Sequence, residues 1–319
     1  MNLKESYISC CLCPRHCQVN RLHGQKGFCG ETAQLRVASL GAHFGEEPPI
    51  SGIHGSGTVF FSGCTLQCEY CQNYQISCQH LGATTTIEEV GRRLTELYAA
   101  RQIHNINFVT PDHFFPHTCA IVAYVRRQSI DIPAVYNVSG YQDVHALRTL
   151  EPTAAIYLPD FKYADNRLGE QLSHCHHYVS TALDALTEMI RQKGFLDSTL
   201  NDDSAAIARQ GVLVRHLILP GQVQNSLDAL SMLLLEFGRR LPLSLMAQYH
   251  PISVSGKSEL KQLPDMQRPI TREEFQQVYD CALELGFEHL FVQYPEQQDT
   301  AFLPDFQQDE PFQGNVGRG

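Results

Sequence analysis

The chain has 319 residues, enough for one large α/β domain or two average ones with a substantial core. Its formal charge of -10, from 34 acidic against 24 basic side chains, argues against bulk nucleic-acid binding, which needs a positive surface. No apolar run of about 18 residues could span a membrane, and no basic-then-apolar leader stands at Met1-Asn2-Leu3-Lys4-Glu5, so a soluble, cytoplasmic protein is expected.

Residues 1–49 read as a cysteine-rich N-terminal extension with little hydrophobic periodicity. Eight of the 12 cysteines lie between Cys10 and Cys71, in clustered spacings that suit metal-ligating thiolates in a reducing compartment rather than disulfides. Cys10, Cys13, Cys17 and Cys29 give C-x2-C-x3-C-x11-C, four soft ligands for zinc or an auxiliary iron-sulfur cluster. Spacing does not choose between those metals. Cys11 is a spare thiol, and His16 and His23 are alternative ligands, although solvated loop histidines are the plainer reading.

From residue 57 short β-rich runs alternate with helical stretches, the pattern of repeated βα units around a parallel sheet. Strands are predicted at 58–61, 106–109, 134–138, 155–158, 212–219, 244–248 and 289–293. Helices are predicted at 87–101, 118–128, 178–191, 226–239 and 272–285, where apolar residues recur at spacings of three and four. Six or seven such units make a partial (β/α) barrel over 50–294, and no G-x-G-x-x-G follows any strand, which counts against a dinucleotide fold. Residues 192–210 read as a long loop. Residues 295–319 read as a tail, extended and frayed at its end.

Directly after the first of these strands comes Gly63-Cys64-Thr65-Leu66-Gln67-Cys68-Glu69-Tyr70-Cys71. Three closely spaced thiolates without a matching fourth suit a cubane 4Fe-4S cluster with one iron left open, whereas structural zinc takes four protein ligands. Polar residues also gather at the ends of the later strands, where a parallel barrel builds its active site. They are Thr110, Asp112, His113 and His117 after the second strand, Asn137 and Ser139 after the third, Asp160 and Lys162 after the fourth, Arg215 within the fifth and His250 after the sixth. Arg215 is expected to face inward, its guanidinium fork matching a carboxylate. The run His174-Cys175-His176-His177 is read as a solvated helix face, and Cys78, Cys119, Cys175 and Cys281 as isolated small apolar residues.

The motif C-x3-C-x-aromatic-C at Cys64, Cys68, Tyr70 and Cys71 resembles that of the radical S-adenosylmethionine (SAM) superfamily. Further segments resemble the iron-sulfur homologues of the pyruvate formate-lyase activating enzyme. These are Cys13-Pro14-Arg15, Gly27-Phe28-Cys29-Gly30, Glu46-Glu47-Pro48-Pro49, Cys71-Gln72-Asn73-Tyr74, Val109-Thr110-Pro111, Leu158-Pro159-Asp160-Phe161-Lys162-Tyr163 and Arg215-His216-Leu217-Ile218-Leu219-Pro220-Gly221. The resemblance implies a partial (β/α)6-type radical SAM barrel carrying the cysteine-rich metal-binding extension. It implies a 4Fe-4S cluster on Cys64, Cys68 and Cys71 whose open iron chelates SAM, and reductive cleavage of SAM to a 5'-deoxyadenosyl radical that abstracts hydrogen from substrate. Tyr70 would lie beside the adenine. Thr110, Asn137, Ser139, Asp160, Arg215 and His250 would contact SAM or an associated cation, and Asp112, His113, His117 and Lys162 the substrate. The usual Gly-Gly-Glu segment that binds the SAM amino group is replaced here by Thr110-Pro111-Asp112-His113, and Asn137 stands where the activating enzyme has an acid.

Three functions compete. One is an activase that draws a hydrogen from a backbone glycine of a glycyl-radical enzyme, with a reductant such as flavodoxin or ferredoxin. The second is a radical SAM enzyme acting on a small molecule or another peptide. The third is a metal-binding or electron-transfer protein that never cleaves SAM. No nucleic-acid or membrane partner is expected.

Overall fold

The computed structural model describes residues 5–197, 206–252, 259–295, 303–308 and 310–312. Strand β1 (Arg36–His43) runs antiparallel to β2 (Ser56–Phe61), and the short β3 (Ala83–Thr84) pairs with the outer edge of β1. From β2 the sheet continues in parallel through β4 (Asn105–Val109), β5 (Ala134–Val138), β6 (Ile156–Pro159) and β7 (Gly211–Val212). A second parallel set follows, β8 (Val214–Leu217), β9 (Leu243–Met246) and β10 (Leu290–Val292). The predicted strand 212–219 is thus divided between β7 and β8, because the Leu213 amide donates to Tyr157 on β6 and the Val214 amide to Pro242 ahead of β9. That segment, with the bridge between Asp160 and Arg215, joins both sets into one curved wall, the open barrel anticipated from the βα alternation.

Helices cover the outside. In chain order they are α1 (Glu5–Ile8), α2 (Pro48–Ser51), α3 (Tyr74–Ser77), α4 (Ile87–Arg101), α5 (Phe115–Arg127), α6 (Val144–Leu150), α7 (Asn166–Ser173), α8 (Tyr178–Lys193), α9 (Val223–Phe237) and α10 (Arg272–Leu285). Helix α5 starts three residues before its predicted start because Pro116 fits the first turn, where no amide hydrogen is needed. Val59, Phe108, Tyr136 and Tyr157 are laterally paired and buried, forming the outer face against these helices. The alternate residues point into the lumen. At its floor Ile50, Val135, Ile156, Leu158, Leu213 and Phe291 form a separate apolar cluster, each such side chain contributing about 1.5–3 kcal/mol by its burial.

Strand β1 escaped prediction because only Val37 along it is buried, so it shows no alternation. It places part of the N-terminal 49 residues within the barrel sheet. The predicted loop at 192–210 falls partly outside the described residues, as does the end of the tail. The described part of the tail folds back, Phe306 and Phe312 packing on Phe60 at 5.4 and 5.1 Å between ring centroids. Among the described residues no helix is long and apolar enough to cross a membrane.

Candidate active site at the barrel mouth

Strand β2 delivers the chain to Gly63, whose left-handed φ of +81° turns it into the cysteine loop. All three cysteine sulfurs receive hydrogen bonds. The Leu66 and Gln67 amides donate to Cys64 at 3.3 and 3.5 Å, the Ser173 hydroxyl to Cys68 at 2.9 Å and the Ser77 hydroxyl to Cys71 at 3.3 Å. Burial, with Cys68 and Cys71 close by, pushes the Cys64 thiol well above its usual range, so thiolates gathered here need a cation to hold their charge. Iron supplies one, and the donors around each sulfur suit a cluster ligand. Among the described residues no three His, Cys, Asp or Glu side chains gather round a single ion position.

Tyr70, between the second and third cysteines, is buried, and its hydroxyl meets that of Tyr163 at 2.9 Å. Tyr163 in turn meets the Ser173 hydroxyl at 2.6 Å, so a chain of hydroxyls ends on Cys68. The tip of α7 is docked by the Glu69 amide, which donates to Leu172, and by Arg15 from the N-terminal cap. Arg15 donates to the Ser173 carbonyl at 3.1 Å, to that of His174, and to Thr65 in the loop at 3.0 Å. A cation at a helix C-terminus meets the negative end of its dipole. His174, read from sequence as a solvated helix residue, lies between α7 and α8 and bonds Glu69 at 2.9 Å. Gln72 donates to the Gln248 carbonyl, tying the loop to the segment that carries His250. The Nε2 of His250 is buried without a hydrogen-bond partner among the described residues.

The other strand-end residues come together at the same mouth. Thr110 holds φ +52°, an uncommon conformation for a β-branched residue, and such strain clusters at functional sites. Its amide donates to the Asn137 carbonyl, and Asn137, paired with Val109 and Leu158, faces the lumen. Ser139 accepts from Gln142 at 3.2 Å. Asp160 and Lys162 form an ion pair, and the Lys162 ammonium is held well above its ordinary range; burial opposes the charge, but Asp160 and Cys68 favour it. Arg215 points inward as expected, yet its fork is taken by two acids: Nε donates to Glu47 at 2.9 Å, and Nη2 to Glu46 at 2.5 Å and to Glu47. Glu46 also accepts from Asn107 at 2.7 Å. This trio walls one end of a cavity of about 690 Å³ that opens beside β10.

His113 and His117 are buried where the N-terminal cap meets α5, and Asp112 is buried beside Gln142. Asp112 accepts from Gln142 at 2.6 Å, and burial raises it to about 6. His113 donates from Nε2 to the Ser62 carbonyl at 2.7 Å. His117 Nδ1 meets the Tyr7 hydroxyl at 2.7 Å, and burial, with Arg21 nearby, lowers the imidazole to about 4. Above pH ~6.5 this imidazole is neutral in both folded and unfolded chains. Between pH ~6.5 and 4 only the unfolded chain takes up the proton, so acid favours unfolding by about 3 kcal/mol across that window. Replacing His117 by glutamine, whose amide can donate to or accept from Tyr7, should remove that share of the loss when urea midpoints at pH 7 and 4.5 are compared with wild type. An equal acid loss in the variant would show that His117 is not the group responsible.

Sequence reasoning passed over Ser173, Ser77, Tyr163, Arg15 and the Glu46–Glu47 pair as site residues. Only the acids carried a signal, two adjacent carboxylates before Pro48-Pro49.

Residues 51–160 match a family model described as a 4Fe-4S single cluster domain. The uncharacterized protein MJ0674 of Methanocaldococcus jannaschii is 27% identical over 288 residues, covering 88% of this chain and 75% of that protein. Among solved structures, HydG, a maturase of the FeFe-hydrogenase, superposes with a TM-score of 0.49 at 14% identity, covering 73% of this chain. Native anSMEcpe with bound AdoMet gives 0.49 at 10% identity, also over 73% of this chain. The chain spans only about half of the HydG chain, 51%, and 61% of anSMEcpe.

Proposed function

We propose that the chain is a radical SAM enzyme whose 4Fe-4S cluster is held by Cys64, Cys68 and Cys71. The observation that carries the reading is the loop itself: three cysteines, each sulfur supplied with a hydrogen-bond donor, at the C-terminal end of a barrel strand within the stretch that matches a 4Fe-4S domain. Bound there with SAM, the cluster supplies reductive cleavage to a 5'-deoxyadenosyl radical. The protein's part is to position and to exclude water. Thr110, Asn137, Ser139, Asp160 and His250 offer polar groups to the cofactor, and Tyr70 a buried ring. Lys162 sets a positive charge beside Cys68, where added negative charge would be stabilised.

For the substrate we favour a polypeptide, such as the glycine loop of a glycyl-radical enzyme, over a small molecule. The cavity is lined by Leu290 and Val292 of β10, the end strand of the second set, and by Gln293 after it, and an extended chain can lie against such a strand. A small reductant protein such as flavodoxin or ferredoxin is the partner this chemistry calls for. No disulfide links the described cysteines, which suits a reducing compartment.

The test is anaerobic loading with iron and sulfide, then dithionite and SAM, with 5'-deoxyadenosine measured for wild type and Cys68→Ala. Product in wild type alone supports the reading. A fully loaded wild-type cluster that makes none, with or without a glycyl-radical partner, would leave an electron-transfer protein as the better description. A narrower prediction concerns Ser173. Its hydroxyl stabilises negative charge on Cys68, so Ser173→Ala should lower the cluster's reduction potential by on the order of 50 mV, equivalent to about 1 kcal/mol for one electron. Potentiometric titration followed by electron paramagnetic resonance reads this directly. An unchanged potential would show that the bond does not tune the cluster.

A further inference from the structure

Arg21 is the most deeply buried cation of the cap, with 1% of its surface exposed. Its Nε donates to the Glu31 carbonyl at 3.2 Å, Nη1 to the His113 carbonyl at 2.6 Å, and Nη2 to the Thr32 carbonyl at 2.8 Å. The guanidinium lies over the rings of Tyr7 and Phe114, at 4.5 and 5.4 Å. None of these partners carries a negative charge. Glu31, whose carbonyl Arg21 holds, turns its carboxylate to His80 at 2.8 Å. A guanidinium does not give up its proton in a protein, and a buried charge without a counter-charge costs several kcal/mol.

The remaining contact is sulfur. Nη1 reaches the Cys10 sulfur at 3.7 Å. The local backbone gathers all four cap cysteines. Cys10 and Val19 pair across a turn, the His16 amide closes on the Cys13 carbonyl, and the Phe28 amide donates to the Cys17 sulfur at 3.4 Å. Gly27 passes so close that a Cβ there would stand 2.8 Å from that sulfur. Four thiolates can close either a single zinc site or an iron-sulfur cluster, and metal analysis separates the two.

We propose that Cys10, Cys13, Cys17 and Cys29 hold a second iron-sulfur cluster, and that the buried Arg21 is its counter-ion. Metal binding takes the protons from thiols, so the four ligands become the negative charge that Arg21 otherwise lacks. The site belongs to the cap and stands whether or not the barrel cluster cleaves SAM.

Iron and acid-labile sulfide in the anaerobically reconstituted full chain decide the first half. About eight iron atoms per chain are expected in wild type, and about four in a triple variant Cys64→Ser, Cys68→Ser, Cys71→Ser. About four in wild type and none in that variant, or zinc retained at the cap in place of iron, would overturn the proposal. The second half is read by competing the cap iron with a chelator. Arg21→Met should hold it 10–100-fold more weakly, with Arg21→Lys recovering part of the loss and the barrel iron unaffected. Equal retention in Arg21→Met sinks the counter-ion assignment without touching the cluster.

Discussion

Replacing Arg215 by methionine will destabilise the protein by about 3 to 5 kcal/mol at neutral pH, the cost of leaving buried acids without their cation. Two carboxylates converge on that one guanidinium, and all three side chains are buried inside the barrel. Glu46 shows what the cation does: burial alone would raise its carboxyl, but Arg215, with His43 and Asn107, brings it below the usual range. Stability from this pair is therefore present above the ordinary glutamate range and is lost as pH falls through the lowered folded value. In the variant the two acids would repel each other and bind protons more readily than in the unfolded chain. The gap between wild type and variant should then be widest at pH 7 and narrow towards pH 5, as read from urea unfolding at both. Adding Glu46→Gln and Glu47→Gln should recover most of the loss. A constant gap with no recovery would mean that packing of the long side chain, not charge, is what Arg215 provides.

The trio also shows where the sequence was readable. That Arg215 faces inward followed from an arginine interrupting the apolar strand 212–219, but its partners lie 168 and 169 positions away in the chain, where no local pattern can point to them. The cysteine loop was legible for the opposite reason: its three ligands fall within eight residues. The barrel strands at 106–109 and 134–138 were legible as short apolar runs, whereas α7 was not. Helix α7 spans only eight residues, and what matters in it is Ser173, which reaches Cys68 across 105 positions. Asp112, His113 and His117 stood out correctly as unusual polar residues after a strand. Where they lead was hidden, because the turn at 112–114 and the first turn of α5 carry the His113 carbonyl and the His117 ring to Arg21 and Tyr7 of the cap, while Asp112 meets Gln142 after β5.

Gly140→Ala should be nearly as damaging, and a second glycine separates the two reasons why. Gly140 has φ +82° and Gly24 has φ +81°, so both charge an alanine the left-handed strain, about 1 kcal/mol or slightly more. Around Gly24 a new Cβ meets nothing within 4 Å. At Gly140 it would stand 2.0 Å from the Asp160 carbonyl oxygen and 2.7 Å from the Tyr178 hydroxyl. Neither can yield cheaply. Asp160 is bridged to Arg215 through the backbone, and the Tyr178 hydroxyl shares its one hydrogen between the Ser139 and Asp160 carbonyls while accepting from the Lys162 amide. The added methyl must therefore part the ends of β5 and β6, moving Asn137, Asp160 and Lys162 together. We expect Gly140→Ala to cost about 3 kcal/mol or more and Gly24→Ala about 1 kcal/mol by urea unfolding. Asparagine, which tolerates the left-handed region, should relieve position 24 but not position 140, since the clash there begins at Cβ. Similar losses for both alanines would mean that the strand ends can part freely, and the mouth would then be far less rigid than a site for positioning a reactive intermediate requires.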